Sequence, residues 1–173
     1  ASPDLGFDPE RAIALPRAVD SEKLLRFARQ VRASPPGRLV RFVASAPHRW
    51  ATCPSSSANG NEMLLEALAI VRATGRTCRL VTVAWGQDVD ASKDIAAKLG
   101  VADMIEWKHT MPTPRLWREY IDSDAVVDRF GLGNFGVATL DAMLLGRRVI
   151  SQIDAAHAEQ FFGALPPIYA CKS

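Results

Sequence analysis

Cysteine is scarce in this 173-residue chain: Cys53, Cys78 and Cys171 are odd in number and far apart. They make neither a disulfide framework nor a CxxC half of a zinc site, and they read as free thiols of a reducing, cytoplasmic compartment. No apolar run approaches the about 20 residues that cross a bilayer, so no integral membrane segment is expected. A signal-peptide pattern is also missing from the start. Neither sign of charge dominates. The 21 basic and 19 acidic side chains leave +2, which gives no bulk drive towards nucleic acid. His48, His109 and His157 share no metal-ligand spacing, so no metal is expected. Internal repeats and low-complexity segments are absent.

What is present is a regular alternation. Residues 1–19 are rich in Pro and charge and read as an entry linker or arm; residues 20–173 read as one domain. "DSEKLLRFARQVRAS" has Asp20 or Ser21 as N-cap and an apolar stripe of Leu24, Leu25, Ala28 and Val31, which predicts a helix. Strand candidates are Arg38 to Ser45, Arg79 to Gly86, Asp103 to His109, "DAVVDRF" and "RRVISQI". Between them lie the helices "NEMLLEALAIVRATG", "DASKDIAAKLG" with Asp90 as cap, "TPRLWREYIDS" with Thr113 as cap and Pro114 at N1, and "GVATLDAMLLG". "DAAHAEQFFGAL" is a candidate final helix. Crossovers of this length require parallel strands. The fold class is therefore α/β: a Rossmann-like, doubly wound parallel sheet of about five or six strands in a three-layer αβα sandwich. Ligands of such sheets bind beyond the carboxyl ends of the strands. That draws attention to Ala46 to Gly60, Trp85 to Val89, Lys108 to Pro112, Asp128 to Gly136 and Ser151 to Ala155.

"GLGNFG", Gly131 to Gly136, spells G-x-G-x-x-G, the dinucleotide fingerprint, and it follows a strand and opens a helix. It lies between the fourth and fifth strands rather than in the first βαβ unit, and the strand before it ends in the charged "VDRF". Glycines at a helix start license a narrower statement: an anion can approach bare N–H groups and the positive end of the dipole.

"GNFGVATLDAMLLGRRVI" carries a family resemblance through Asn134–Phe135–Gly136, Asp141–Ala142–Met143, Gly146 and Val149–Ile150. Together with "LLEALAIVRATGRTCRLVTVAWG", "IAAKLGVADMIEWKHTMPTPRLWREYIDSDAVV" and the entry segment "ALPRAVD", it resembles the C-terminal, nucleotide-sugar-binding domain of GT-B glycosyltransferases of the retaining group-1 type. The resemblance spans roughly Leu15 to Ala170. It implies a donor-binding domain that works with an N-terminal acceptor-binding domain not included in these 173 residues. The nucleotide sugar is then substrate, with no separate cofactor. Attachment peripheral to the inner membrane is an option for a longer chain.

The resemblance also implies site residues. Gly136 and Val137 would offer N–H groups to the departing diphosphate, with Arg49 as first cation and Arg129 as reserve. Asp141 would accept the ribose hydroxyls. Lys108 and His109 fall where relatives place the nucleobase. His48 is a weaker phosphate candidate, and Phe135 is expected to pack the turn. The departures are equally specific. The first Glu of the family's paired-Glu motif falls on Gly133, and the second on Asp141. The Lys of its Lys–Gly loop falls on Asn59, before Gly60. Asp128–Arg129 stands where some relatives carry Asp–Gln. Two alternatives stay open: a degenerate, non-catalytic module serving as scaffold or interaction partner, and an NAD- or FAD-binding domain.

Overall fold

The computed structural model describes residues 19–34, 37, 39–53, 58–131, 133, 135–164 and 166–171. Most of the arm, together with Leu132 and Asn134 of the glycine run, lies outside the described residues. In chain order the elements are α1 (Ser21–Gln30), β1 (Val40–Ala44), α2 (Asn61–Ala73), β2 (Cys78–Val83), α3 (Val89–Lys98), β3 (Ile105–Lys108), α4 (Thr113–Ile121), β4 (Ala125–Val127), α5 (Val137–Leu144), β5 (Arg148–Gln152), α6 (Ala155–Phe162) and β6 (Tyr169–Cys171).

The six strands form one sheet in the order β3-β2-β1-β4-β5-β6, and every pairing is parallel. This is the doubly wound order, with its reversal between β1 and β4. A parallel sheet needs cover on its faces, and the strand sequences reflect that. Ala125, Val126 and Val127 are all buried, and so are Leu80 to Val83.

Two apolar layers flank the sheet. On one side Leu65 and Leu68 of α2 and Ala96 of α3 meet Ala44, Leu80, Ile105 and Val127. On the other, Leu24 of α1, Trp117 and Tyr120 of α4 and Ala142 and Leu145 of α5 meet Val43, Val81, Val126 and Val149. Leu24 is the fully buried residue of α1. Burying one such side chain is worth about 1.5–3 kcal/mol, so it does much to hold a polar helix on the domain.

Local signals set several boundaries. Asp20 caps α1, its carboxylate accepting the Lys23 N–H at 3.0 Å. α3 starts at Val89 rather than behind an Asp90 cap. Asp88 precedes it, but that carboxylate is drawn away to the Trp50–Thr52 backbone. α4 starts at Thr113 with Pro112 in the cap position, one residue earlier than a Thr113 cap implies. The sixth strand, β6, follows α6 and pairs with β5.

Candidate functional site

Where the strand order reverses, the loops after β1 and β4 diverge and leave a cleft of about 430 Å³. Its walls include Arg49 and Asn59 from the first loop, Asp128, Arg129 and Gly136 from the second, and Val137 and Asp141 from α5. Seven of the thirteen residues singled out from the sequence thus meet in one cavity.

The first loop is held from several sides. Asn59 donates its side-chain amide to the Pro47 carbonyl at 2.8 Å and its N–H to the Arg49 carbonyl at 2.8 Å. The Arg49 N–H in turn donates to Asn61 Oδ1 at 3.2 Å. These bonds fix the backbone of Arg49, whose side chain is exposed along the cleft. Gly60 adopts φ +66°, and a Cβ there would lie 2.4 Å from the Phe130 carbonyl. With the Phe130 N–H donating to the Asn59 carbonyl at 3.0 Å, the two loops are latched together. Asn59 and Gly60 therefore serve the shape of the site, and the Asn59 side chain is spent on Pro47.

A second latch ties this loop to the one after β2. The His48 N–H donates to the Trp85 carbonyl at 2.8 Å, and Asp88 donates its N–H back to the His48 carbonyl at 3.0 Å. A Cβ at Gly86 would sit 2.4 Å from that carbonyl, so glycine is required there. The His48 ring is buried, with Nδ1 2.9 Å from Ser92 Oγ and Nε2 3.1 Å from Thr82 Oγ1. Trp50 Nε1, which can only donate, reaches the same Ser92 oxygen at 2.8 Å. The Ser92 proton is then available to Nδ1 of a neutral ring. Burial, opposed by the Asp88 charge, lowers the His48 pKa to about 4. His48 thus lies beneath the loop rather than among the cleft residues.

The α5 end of the cleft is organised by Asp128. Its Oδ2 accepts the Gly136 N–H at 2.5 Å and the Thr139 hydroxyl at 2.7 Å. A Cβ at Gly136 would come within 3.2 Å of both Asp128 oxygens and 3.0 Å from Arg129 Nη2, so a larger residue would push on those two side chains. Val137, the first helical residue, has no acceptor for its N–H among the described residues. Arg129 fixes its backbone by accepting at its carbonyl from Gln152 N–H and Ser151 Oγ, both at 3.2 Å, while its side chain borders the cleft.

Asp141 is 7% exposed and accepts a hydrogen bond from Trp117 Nε1 at 2.8 Å. Burial raises its pKa, with the Trp117 bond opposing. Nearby, the Tyr120 hydroxyl lies 2.5 Å from Ser45 Oγ. Burial first, and then the charges of Asp128 and Asp141, push that phenol upwards.

The other sequence candidates lie elsewhere. Lys108 reaches Glu119 at 2.7 Å and Glu106 at 3.3 Å, in a groove shared with Arg41 and Arg147. Its pKa is raised chiefly by the Glu119 bond. His109 is exposed beyond β3, and Phe135 is half-buried. Gly133 takes φ +62° and accepts the Asp154 N–H at 2.7 Å. Sequence reasoning missed Ser45, Trp117 and Tyr120. The two aromatics of α4 stand three apart on one helix face, a pattern that signals core before site.

No family model matches the chain, and no curated protein does. Solved structures match at the level of fold. A glycosyltransferase from Rickettsia africae ESF-5 aligns with a TM-score of 0.56 and 15% identity, over 85% of this chain and 39% of that one. AviGT4, a glycosyltransferase involved in avilamycin A biosynthesis, aligns at 0.52 and 21% over 82% and 39%. WaaG, a glycosyltransferase involved in lipopolysaccharide biosynthesis, aligns at 0.53 and 15% over 85% and 39%. The fold is therefore one found in glycosyltransferases, and the chain spans well under half the length of these neighbours.

Proposed function

We propose that this chain is the donor-binding domain of a glycosyltransferase and holds a nucleotide sugar in the cleft between β1 and β4. The observation that carries the proposal is the convergence there of Arg49, Arg129, Val137 and Asp141 at the sheet's switch point. Sugar transfer leaves negative charge on a departing diphosphate. Arg49 and Arg129 offer guanidinium forks to it, and the start of α5 offers the Val137 N–H and the positive end of its dipole. Asp141 accepts the ribose hydroxyls. The base lies towards His109, and Lys108 joins it only by leaving Glu119. Transfer to the acceptor, with retention at the sugar carbon, requires an N-terminal acceptor-binding domain as partner. No helix of the described residues is long and apolar enough to cross a bilayer.

A second reading, a degenerate module that serves as scaffold, draws on three observations. Gly133 has no carboxylate, the Asn59 amide is spent on Pro47, and Asp128 already occupies the Gly136 N–H. The dinucleotide reading draws less support, because a pyrophosphate at the glycine run would have to displace Asp128.

Titration of the chain with UDP, GDP and their sugars, followed by amide shifts, tests the proposal. Shifts are expected at Val137 and Asp141. Silence there with every nucleotide sinks the donor reading. Affinity that emerges only on joining Gly133→Glu with Asn59→Lys supports the degenerate one, and shifts with NAD or FAD alone support the third.

A further inference from the structure

The Asp141 carboxylate has a single hydrogen-bond donor among the described residues: the indole N–H of Trp117, one helix away on α4. An indole N–H can donate and cannot accept, so this contact discriminates between the two protonation states of its partner. Trp117 is itself buried, and its ring packs on Phe27 of α1 with centroids 5.5 Å apart and planes inclined at 56°. Three helices therefore meet at one contact: α1 sets the indole, and the indole sets one oxygen of the α5 carboxylate.

We propose that Trp117 is the positioning residue of this site: its N–H fixes one oxygen of Asp141 and leaves the other to the hydroxyl groups of a bound nucleotide. This rests on the donor-binding reading. The charged and titratable groups around Asp141 are few. Tyr120 stands on α4, Asp128 and Arg129 on the segment after β4, and Arg49 on the loop after β1. The faces packed from α1 and β5 contribute apolar Leu24, Phe27 and Val149. Burial opposes the charge on Asp141, and the hydrogen bond from the Trp117 indole favours it.

The experiment uses the full 173-residue chain and Trp117→Phe, which keeps an aromatic ring and deletes the donor. Two readouts are taken: titration of the Asp141 carboxyl carbon by NMR, and UDP and GDP affinity between pH 5 and 8. The variant is expected to move the Asp141 midpoint upwards. It should also weaken nucleotide binding about tenfold in the acid part of the range, with partial recovery at the alkaline end. In an Asp141→Asn background the same change should alter affinity less than about twofold, because coupled residues lose their effects together. An unmoved midpoint, or a loss of affinity equal at every pH, overturns the proposal and leaves Trp117 as packing alone. If the parent chain binds neither nucleotide, the donor reading fails, and the site-specific role of Trp117 fails with it. The carboxyl titration then still reports whether the indole governs Asp141. If Trp117→Phe does not fold, the parent's indole N–H resonance decides: it should shift through the Asp141 midpoint, and constancy overturns the proposal.

Discussion

Asp128 Oδ2 accepts the Gly136 N–H at 2.5 Å, so the chain's own carboxylate sits at the helix start where an incoming anion would bind. The same oxygen takes the Thr139 hydroxyl at 2.7 Å, so Asp128 braces the start of α5 from eight residues before its N-cap, Gly136. An acidic side chain beside a helix start stabilises it by about 0.3–1 kcal/mol and opposes an incoming anion there. Asp128→Ala should therefore act in opposite directions on two measurements. Urea unfolding should show a loss of about 1–3 kcal/mol, because the Gly136 N–H and the Thr139 hydroxyl lose their acceptor. Affinity for UDP, read by amide shifts, should rise, because the Gly136 N–H is released and a repelling charge removed. A fall in both would mean that Asp128 supports the ligand instead of occupying its place.

His48 makes stability depend on pH. Its folded-state pKa is lowered to about 4 from 6.5, so between these values the unfolded chain binds the extra proton. Stability is complete above the unfolded value and is lost as pH falls towards the folded one. From pH 7 to pH 5 this single group should cost about 2 kcal/mol, given about 1.36 kcal/mol per unit. Urea melts at the two pH values on the parent and His48→Gln check it. The variant should lose that portion of the pH dependence, and an unchanged slope would place the acid sensitivity elsewhere.

Much of the fold was legible because the signals were local. Asp20 three residues before Lys23, Pro114 at the start of α4 and the Val-rich strands each declare their element within a few positions. The alternation of elements pointed to the loops after all the strands, and the strand order then placed the cleft between those after β1 and β4. What stayed hidden is made of pairs distant in sequence. Lys108 falls at the place of the nucleobase until α4 brings Glu119 to 2.7 Å from it. Asp88 would cap α3 by position, yet three backbone N–H groups of Trp50–Thr52 take its carboxylate. Asn59 resembles a weakened ligand until Pro47 claims its amide. In each case a buried or half-buried polar group found its partner in three dimensions, and the order of residues carries no mark of that choice.

Glycines with the same backbone conformation should differ sharply in cost. Gly60 and Gly75 both have φ near +70°, at +66° and +73°. A Cβ on Gly75 meets nothing within 4 Å, whereas one on Gly60 would lie 2.4 Å from the Phe130 carbonyl. Gly75→Ala should lose about 1 kcal/mol, the cost of a left-handed non-glycine residue. Gly60→Ala must also part the two loops that frame the cleft, and it should lose more than about 3 kcal/mol. Thermal unfolding of the pair separates the two costs, and equal losses would show that the loops part easily.

Asp141 sets function against stability. Burial raises its folded-state pKa, so the folded chain holds the proton more tightly than the unfolded one. The sign is opposite to that of a salt-bridged carboxylate: stability falls as pH rises from the ordinary Asp value through the raised one, and it stays lower beyond. At neutral pH the ionised side chain therefore opposes folding. Asp141→Asn keeps an acceptor oxygen for Trp117 Nε1 while removing the charge, and its melting temperature at pH 7 should exceed that of the parent. Nucleotide affinity should move the other way, by about ten- to a hundred-fold, since a hydrogen bond to a charged acceptor is worth about 1.5–3 kcal/mol. Calorimetric melts at pH 4 and pH 7, set beside a UDP titration, test both halves. A variant less stable than the parent at pH 7 would mean that the Trp117 bond outweighs burial, and unaltered affinity would remove Asp141 from the ligand.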